Sequence, residues 1–381
     1  MNKTNICFFL GSFQSGGAED HVLQTMQHID TNKFNCFLSV LSASGQLKEK
    51  FYNLDVPIWA ANNFRFKFLW KLFWFTRLLS YVKFLRTNTI KIVHIHLVGA
   101  YKFALIGALL AGVPVRIITW HNIYDRSVIK WNYKKPRSVF KNLKFIFTVK
   151  VASVISHKVI AVSNRVKNLN SNFYKISPKK VFVVHNGIDG SRFNLQPKKS
   201  SKDKFLIGSV GGLQPQKGYM VALEAIRQIV SIYPQVEYNI IGDGAERHSL
   251  EAFIRQYSLD ENVHLLGWQE NIPDELAKLN LFLMTSFHEG FSIALLEAMV
   301  SRLPIIATDV GGNGEAIVHK KSGVLIPPNN VTKVIESIDL LINDTDQRNA
   351  FGNAAQKRFL SNFTVTSMAD KLADIYQNDL T

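Results

Sequence analysis

The stretch Thr285-Ser286-Phe287-His288-Glu289-Gly290-Phe291-Ser292-Ile293-Ala294-Leu295-Leu296-Glu297-Ala298-Met299 carries the densest chemical signal in the chain. An apolar strand ends at Thr285, a loop holds Glu289, and a helix opening near Ser292 holds Glu297. The first amides of a helix lack internal acceptors and its N-terminus favours negative charge. Ile293, Ala294 and Leu295 therefore point N–H groups outward, where an anion could take them. Glu289 alone could be an ordinary helix-start carboxylate. Glu297 sits among apolar residues, where an unpaired carboxylate is costly.

Two glycine-rich turns offer related chemistry. Gly11-Ser12-Phe13-Gln14-Ser15-Gly16-Gly17-Ala18-Glu19 follows a strand and opens a helix, so a phosphate could approach its backbone donors. It is neither a Walker loop nor a Gly-x-Gly-x-x-Gly fingerprint. Val210-Gly211-Gly212-Leu213-Gln214-Pro215-Gln216-Lys217-Gly218 repeats the arrangement, with Lys217 at the predicted helix start. A cation there opposes the helix dipole, which an anionic ligand such as a diphosphate would explain. A solvated surface lysine is the plain alternative. His94 and His96 share one face of a strand, yet no third ligand is evident and no metal site is expected. Asp344-Thr345-Asp346 reads as a polar loop between helices, and Ser163 as a helix cap.

Short apolar strands alternate with helical runs, the pattern of an α/β protein with parallel sheets. Strands are predicted at 6–10, 36–41, 90–96, 115–119, 159–162 and 181–185, then at 205–210, 236–241, 263–266, 281–285, 304–308 and 323–326. Helices are predicted at 17–28, 217–230, 245–257 and 293–300, and 367–376 looks helical. Polar residues 191–204 read as a linker. The expected domains are 1–190 and 205–364, both Rossmann-like and doubly wound, with 365–381 as a C-terminal helix. Ligands of open parallel sheets bind at the carboxyl ends of strands, so the site is expected in the cleft between the two domains.

The 381 residues are 47% hydrophobic and 19% charged, a folding composition. Two cysteines, Cys7 and Cys36, cannot make a disulfide framework and read as reduced thiols. The apolar start is too short for a signal-peptide core, and the run 103–113 is too short to span a bilayer. The net charge of +16 is uneven: residues 1–190 hold 27 Lys/Arg against 7 Asp/Glu, and residues 126–188 hold 14 Lys/Arg and no acid. That asymmetry suggests anionic lipid, nucleic acid or an acidic substrate as partner.

Six motifs in order, from the Gly16–Glu19 turn through Pro215–Gly218 to Glu289-x7-Glu297, resemble one family. The others are His185-Asn186-Gly187-Ile188-Asp189, Ile241-Gly242-Asp243-Gly244-Ala245-Glu246-Arg247 and Ala307-Thr308-Asp309-Val310-Gly311-Gly312. Together they resemble the retaining glycosyltransferases of family 4, which have the GT-B architecture. The resemblance implies a nucleotide-sugar donor, with UDP the expected base and GDP next, and no metal or other cofactor. It assigns the ribose hydroxyls to Glu297, the donor diphosphate to Lys217 and the amides of Ile293, Ala294 and Leu295, and the transferred sugar to Glu289. Gly16 and Gly17 would approach the same diphosphate, and His121 matches the family's active-site histidine. Two positions depart from the pattern. Gly212 replaces the family's arginine, leaving Lys217 more of the charge to carry, and Ser292 replaces a glycine.

The basic half, with Phe64–Arg86 and Lys130–Arg137, suits an interfacial membrane surface, although the cations of 64–86 do not gather on one helical face. The expected acceptor is a lipid-linked saccharide of bacterial surface-polysaccharide assembly. The expected location is cytoplasmic, peripheral on the inner face of the plasma membrane. A sugar-nucleotide epimerase or a phosphorylase is the alternative within GT-B enzymes. A basic nucleic-acid-binding protein is the alternative outside them, but it leaves Glu289, Glu297 and both glycine turns unexplained.

Overall fold

A computed structural model describes residues 3–14, 16–61, 70–124, 139–193 and 204–378. The chain forms two compact units. One holds the chain up to Gly187 and again from Val365; the other runs from Ile188 to Thr364. Most of the 191–204 linker expectation falls outside the described residues, although Gly190–Phe193 forms a short 3-10 turn.

The first unit is built on seven strands: β1 Thr4–Ser12, β2 Phe34–Ser42, β3 Ile58–Ala60, β4 Ile92–His96, β5 Val115–Trp120, β6 Lys158–Ala161 and β7 Val181–Val183. Their order is β3-β2-β1-β4-β5-β6-β7, and every pairing is parallel. Such a sheet is covered on both faces, which is why its central strands read as nearly unbroken apolar runs. The alternation along β1 shows it. Ile6, Phe8 and Leu10 face helices Gly17–His28 and Val365–Gln377. Phe9 faces the other way, into the rings of Trp59, Tyr81 and Phe103.

The second unit has six parallel strands: β8 Phe205–Val210, β9 Val236–Ile241, β10 Val263–Gly267, β11 Leu281–Met284, β12 Ile305–Thr308 and β13 Val324–Ile326. Their order is β10-β9-β8-β11-β12-β13. In each sheet the winding reverses once, between β1 and β4 and between β8 and β11. Such a switch point splays the connections apart and leaves a crevice at the strand ends. Both glycine-rich turns lie at these places, directly after β1 and β8.

The predicted strands match to within one or two residues, and helices 17–28 and 293–300 match their full length. β3, a three-residue strand at one edge of its sheet, is absent from the predicted strands. Two helix starts need correction: the helix predicted from Ala245 starts at Arg247, and the helix predicted from Lys217 starts at Tyr219. Gly218 has φ +66°, a left-handed residue that separates the helix from a 3-10 turn at Pro215–Lys217. Ser163 and Asp344 cap helices, accepting from the amides of Val166 and Gln347.

The last helix belongs to the first unit. The Tyr376 ring is fully buried against Phe8 and Phe34, and its hydroxyl lies 2.7 Å from His94 Nδ1. Tyr376→Ala is expected to destabilise this unit by about 3–5 kcal/mol, the range for truncating a buried aromatic. Urea unfolding monitored on this unit reads the effect. A loss below about 1 kcal/mol would show that the helix is not part of that core.

Candidate functional site

At the β8/β11 switch point the second unit gathers a charged cluster. Lys217 Nζ donates to Glu289 Oε1 at 2.7 Å, and the Ser286 hydroxyl donates to the same oxygen at 2.7 Å. The two charged side chains are 19% and 8% exposed. Lys217 was expected at a helix start, awaiting an anion; it stands instead on the 3-10 turn, with its charge met by Glu289. A small pocket under this pair is lined by Ser209, Val210, Leu283 and Met284 together with Thr285 and Ser286.

Close backbone approaches fix the loops that carry the pair. A Cβ on Gly218 would fall 2.2 Å from the Thr285 carbonyl oxygen, and the Thr285 hydroxyl donates to the Gly218 carbonyl at 3.0 Å. The Phe287 amide donates to the Gln216 carbonyl at 2.7 Å. Gly311, at φ +51°, would put a Cβ 1.8 Å from the Glu289 carbonyl oxygen, while the Gly312 amide donates to Gly290. The Gly242-Asp243-Gly244 motif braces the first turn in the same way. Leu213 donates to the Asp243 carbonyl, and a Cβ on Gly242 would meet the Gly211 carbonyl oxygen at 2.2 Å. These motifs are therefore contact points that hold the Lys217 and Glu289 loops in register.

The helix Ile293–Val300 opens beside this cluster. Ser292 is its N-cap and accepts from the Leu295 amide at 3.4 Å. That engages one of the three amides expected to meet an anion. The amides of Ile293 and Ala294 stand in the first turn, where a helix has no acceptor of its own. Glu297 follows one turn later, half-buried.

The first unit presents different chemistry at its β1/β4 switch point. Gly16 is the N-cap of helix Gly17–His28. A Cβ there would lie 2.8 Å from Glu19 Oε2, so the missing side chain makes room for that carboxyl. Burial raises the Glu19 carboxyl to about 7. Four buried histidines follow: His21, His94, His96 and His121. His94 lies between the Tyr376 hydroxyl at Nδ1 and the Thr119 hydroxyl at Nε2, both at 2.7 Å. His96 Nδ1 lies 3.0 Å from His121 Nε2, and His21 Nδ1 lies 3.0 Å from Asn186 Oδ1.

The protons of three of these rings follow from their partners. The buried Nε2 atoms of His21 and His96 have no partner among the described residues. A buried N–H without an acceptor is a rarer defect than a buried lone pair without a donor. His21 and His96 therefore carry their protons on Nδ1, and His96 donates to Nε2 of His121. His121 is left with its proton on Nδ1. The sequence marked His94, His96 and His121, but His21 and Asn186 were missed as site residues. The only available hint was their place beside the Gly16–Glu19 turn and inside the His185–Asp189 motif. Among the described residues no group of three or more His, Cys, Asp or Glu side chains is disposed to hold a metal ion. The basic run 130–137 and residues 64–69 lie outside the described residues.

Burial lowers the pKa of His21 to about 4 and those of His94, His96 and His121 well below the ordinary 6.5, neighbouring imidazoles adding to the effect in the last three. The unfolded chain takes up protons below pH 6.5 while the folded cluster stays neutral, so stability is present above that pH and is lost as pH falls toward 4. Each ring should remove about 1 kcal/mol between pH 6.5 and 5.5. Denaturation midpoints across that interval measure it, and a flat profile would mean that the rings are hydrated. In the second unit, Gly311→Ala is expected to displace the Glu289 loop and cost about 1–3 kcal/mol through backbone strain. A wild-type unfolding midpoint would contradict that close approach.

Comparison with known proteins bears on both units. Residues 191–358 match the family described as Glycosyl transferases group 1, and residues 15–192 match Glycosyltransferase Family 4. The chain is 27% identical over 311 residues to the UDP-Gal:alpha-D-GlcNAc-diphosphoundecaprenol alpha-1,3-galactosyltransferase of Escherichia coli, covering 78% of each chain. It is 26% identical to the capsular polysaccharide biosynthesis glycosyltransferase CapM of Staphylococcus aureus, over 74% of this chain and 76% of that one. Among solved structures, HepE of Anabaena in complex with UDP and glucose superposes with a TM-score of 0.82 at 22% identity, over 98% of this chain and 99% of that one.

Proposed function

Because the chain belongs to glycosyltransferase family 4 and has its GT-B fold, we propose that this glycosyltransferase moves a sugar from a UDP-sugar to a lipid-linked saccharide, with retention of the anomeric configuration. The observation that carries this reading is the Lys217–Glu289–Ser286 cluster at the β8/β11 switch point, beside the first turn of helix 293–300. The relatives named for a diphosphoundecaprenol-linked acceptor and for capsular polysaccharide support the acceptor class.

In this reading the donor diphosphate takes the Lys217 ammonium and the amides of Ile293 and Ala294, with Leu295 joining if Ser292 releases it. Charge that develops on the leaving group is then met by preorganised donors, so the reaction is read as metal-independent. Drawing Lys217 toward phosphate frees a Glu289 oxygen for a hydroxyl of the transferred sugar, and Glu297 takes the ribose hydroxyls. The Gly16–Gly17 turn offers backbone donors to phosphate. The neutral His121 serves on the acceptor side, where an uncharged imidazole can hydrogen-bond a hydroxyl at physiological pH. The acceptor hydroxyl attacks the anomeric carbon on the face from which UDP leaves. The C–O bond to phosphate breaks as the new C–O bond forms, and the hydroxyl proton passes to a phosphate oxygen.

In this reading the enzyme works at the cytoplasmic face of the plasma membrane, where nucleotide sugar and lipid-linked acceptor are both at hand. Among the described residues no helix is long and apolar enough to cross a membrane. The test is incubation with single UDP-sugars and a polyprenyl-diphosphate-linked saccharide, with the new linkage read by NMR. An α-configured donor should give an α-linked product. A β-linked product would overturn retention, and a donor altered without any acceptor would point to an epimerase.

A further inference from the structure

Helices Trp70–Thr87, Val98–Ala111 and Val139–Ile155 lie side by side on one face of the first sheet. The Tyr81 ring sits where a Cβ of Gly107 would be, and Arg86 Nη2 donates to the Leu110 carbonyl at 2.6 Å. The outward surface of this layer is unusual in two ways at once. Among the residues of its helices whose side chains are described are six lysines and arginines and not one aspartate or glutamate. They also expose large apolar side chains: Phe75 is 53% exposed, Phe147 68% and Val154 59%.

The two features share the same stripes. Phe75, Leu79 and Lys83 follow one another at four-residue spacing, so they stand on one side of the first helix. Leu143, Phe147, Lys150 and Val154 do the same on the third, at spacings of four, three and four. Lys102, Leu109 and Leu110 are exposed between them. The acids of this unit's helices lie on the opposite face, Glu19 and Asp20 on helix 17–28, Glu49 on helix 48–52, and Asp370 and Asp374 on helix 365–377. No single helix is strongly amphipathic, which is why a wheel drawn on 64–86 shows no cationic side. The surface exists only once three helices are assembled.

We propose that this three-helix layer is the face by which the enzyme docks on an anionic lipid leaflet. A bilayer surface satisfies both features together: leucine and phenylalanine enter the headgroup–acyl boundary while the ammonium groups stay at the level of the phosphates. Free nucleic acid would use the cations but leave the apolar stripes in water. The inference rests on the proposed lipid-linked acceptor, and it adds which residues bring the enzyme to that lipid.

The test is flotation with phosphatidylcholine vesicles, and with vesicles containing about 30% phosphatidylglycerol to supply the negative surface potential. Three variants accompany the wild type: Phe75→Ser/Leu79→Ser/Phe147→Ser, Lys83→Glu/Lys144→Glu/Lys150→Glu, and Ile232→Ser/Leu360→Ser as a control on exposed apolar residues of the second unit. Wild type should float with the anionic vesicles only. The first two variants should each bind them at least about tenfold less, and the control should bind as wild type. The mutated side chains are exposed, so circular dichroism should be unchanged. Wild-type flotation by either triple variant, or loss by the control, would overturn the proposal. UDP-induced thermal stabilisation of the same samples separates the two readings. Protein that binds UDP but floats with neither vesicle removes this face and leaves the transferase reading standing. Flotation without any UDP effect does the reverse.

Discussion

The Lys217–Glu289 ion pair is the constraint around which the second unit is arranged. Both groups are largely withdrawn from water, and removing one partner of a buried pair leaves an uncompensated charge that costs about 3–5 kcal/mol where burial is complete. The pair here is partly open on the lysine side, so its value to stability is smaller. An ammonium already stripped of most of its water, and held by one carboxylate oxygen, can exchange that oxygen for phosphate with little reorganisation. The backbone around it is correspondingly rigid. Gly218 admits the Thr285 carbonyl and Gly311 admits the Glu289 carbonyl, each at a distance that any side chain would block.

The two sheets solve the same topological problem with opposite electrostatics. At its switch point the first unit places four neutral imidazoles in a buried cluster, each pushed away from its charged form by burial. At its own, the second unit places an ammonium, a carboxylate and the opening of a helix. One arrangement suits hydrogen bonding to neutral hydroxyls, the other the binding of a charged diphosphate. That division of labour is what transfer from a nucleotide sugar to a hydroxyl asks for.

Much of this was legible in the chain. Parallel strands covered on both faces are written as short apolar runs, so twelve of the thirteen described strands could be placed closely, and only β3 was missed. Glu297 stood out because a carboxylate among apolar residues lacks a local reason, Lys217 because a cation at a helix start opposes the dipole, and Glu289 through its spacing from Glu297. Their geometry was not legible, because its causes are tertiary. The partner of Lys217 is 72 positions away, and the partner of His21 is 165 away. The left-handed Gly218 moved the helix start by two residues and turned a lysine thought to oppose a helix dipole into half of an ion pair. The destination of the last helix depends on Phe8, Phe34 and His94, which lie far back in the sequence. The apolar and basic stripes of the first unit span three helices and cannot be seen in any one of them.

The most direct measurement is calorimetric titration of UDP into the wild type and into Lys217→Ala, both in EDTA. If Lys217 leaves Glu289 to take the donor diphosphate, the wild type binds UDP without a divalent ion, and the variant binds at least about tenfold more weakly, the loss of one charge-assisted contact. Equal affinities would contradict the account, since the diphosphate would then be held by something other than the pair on which this site is built.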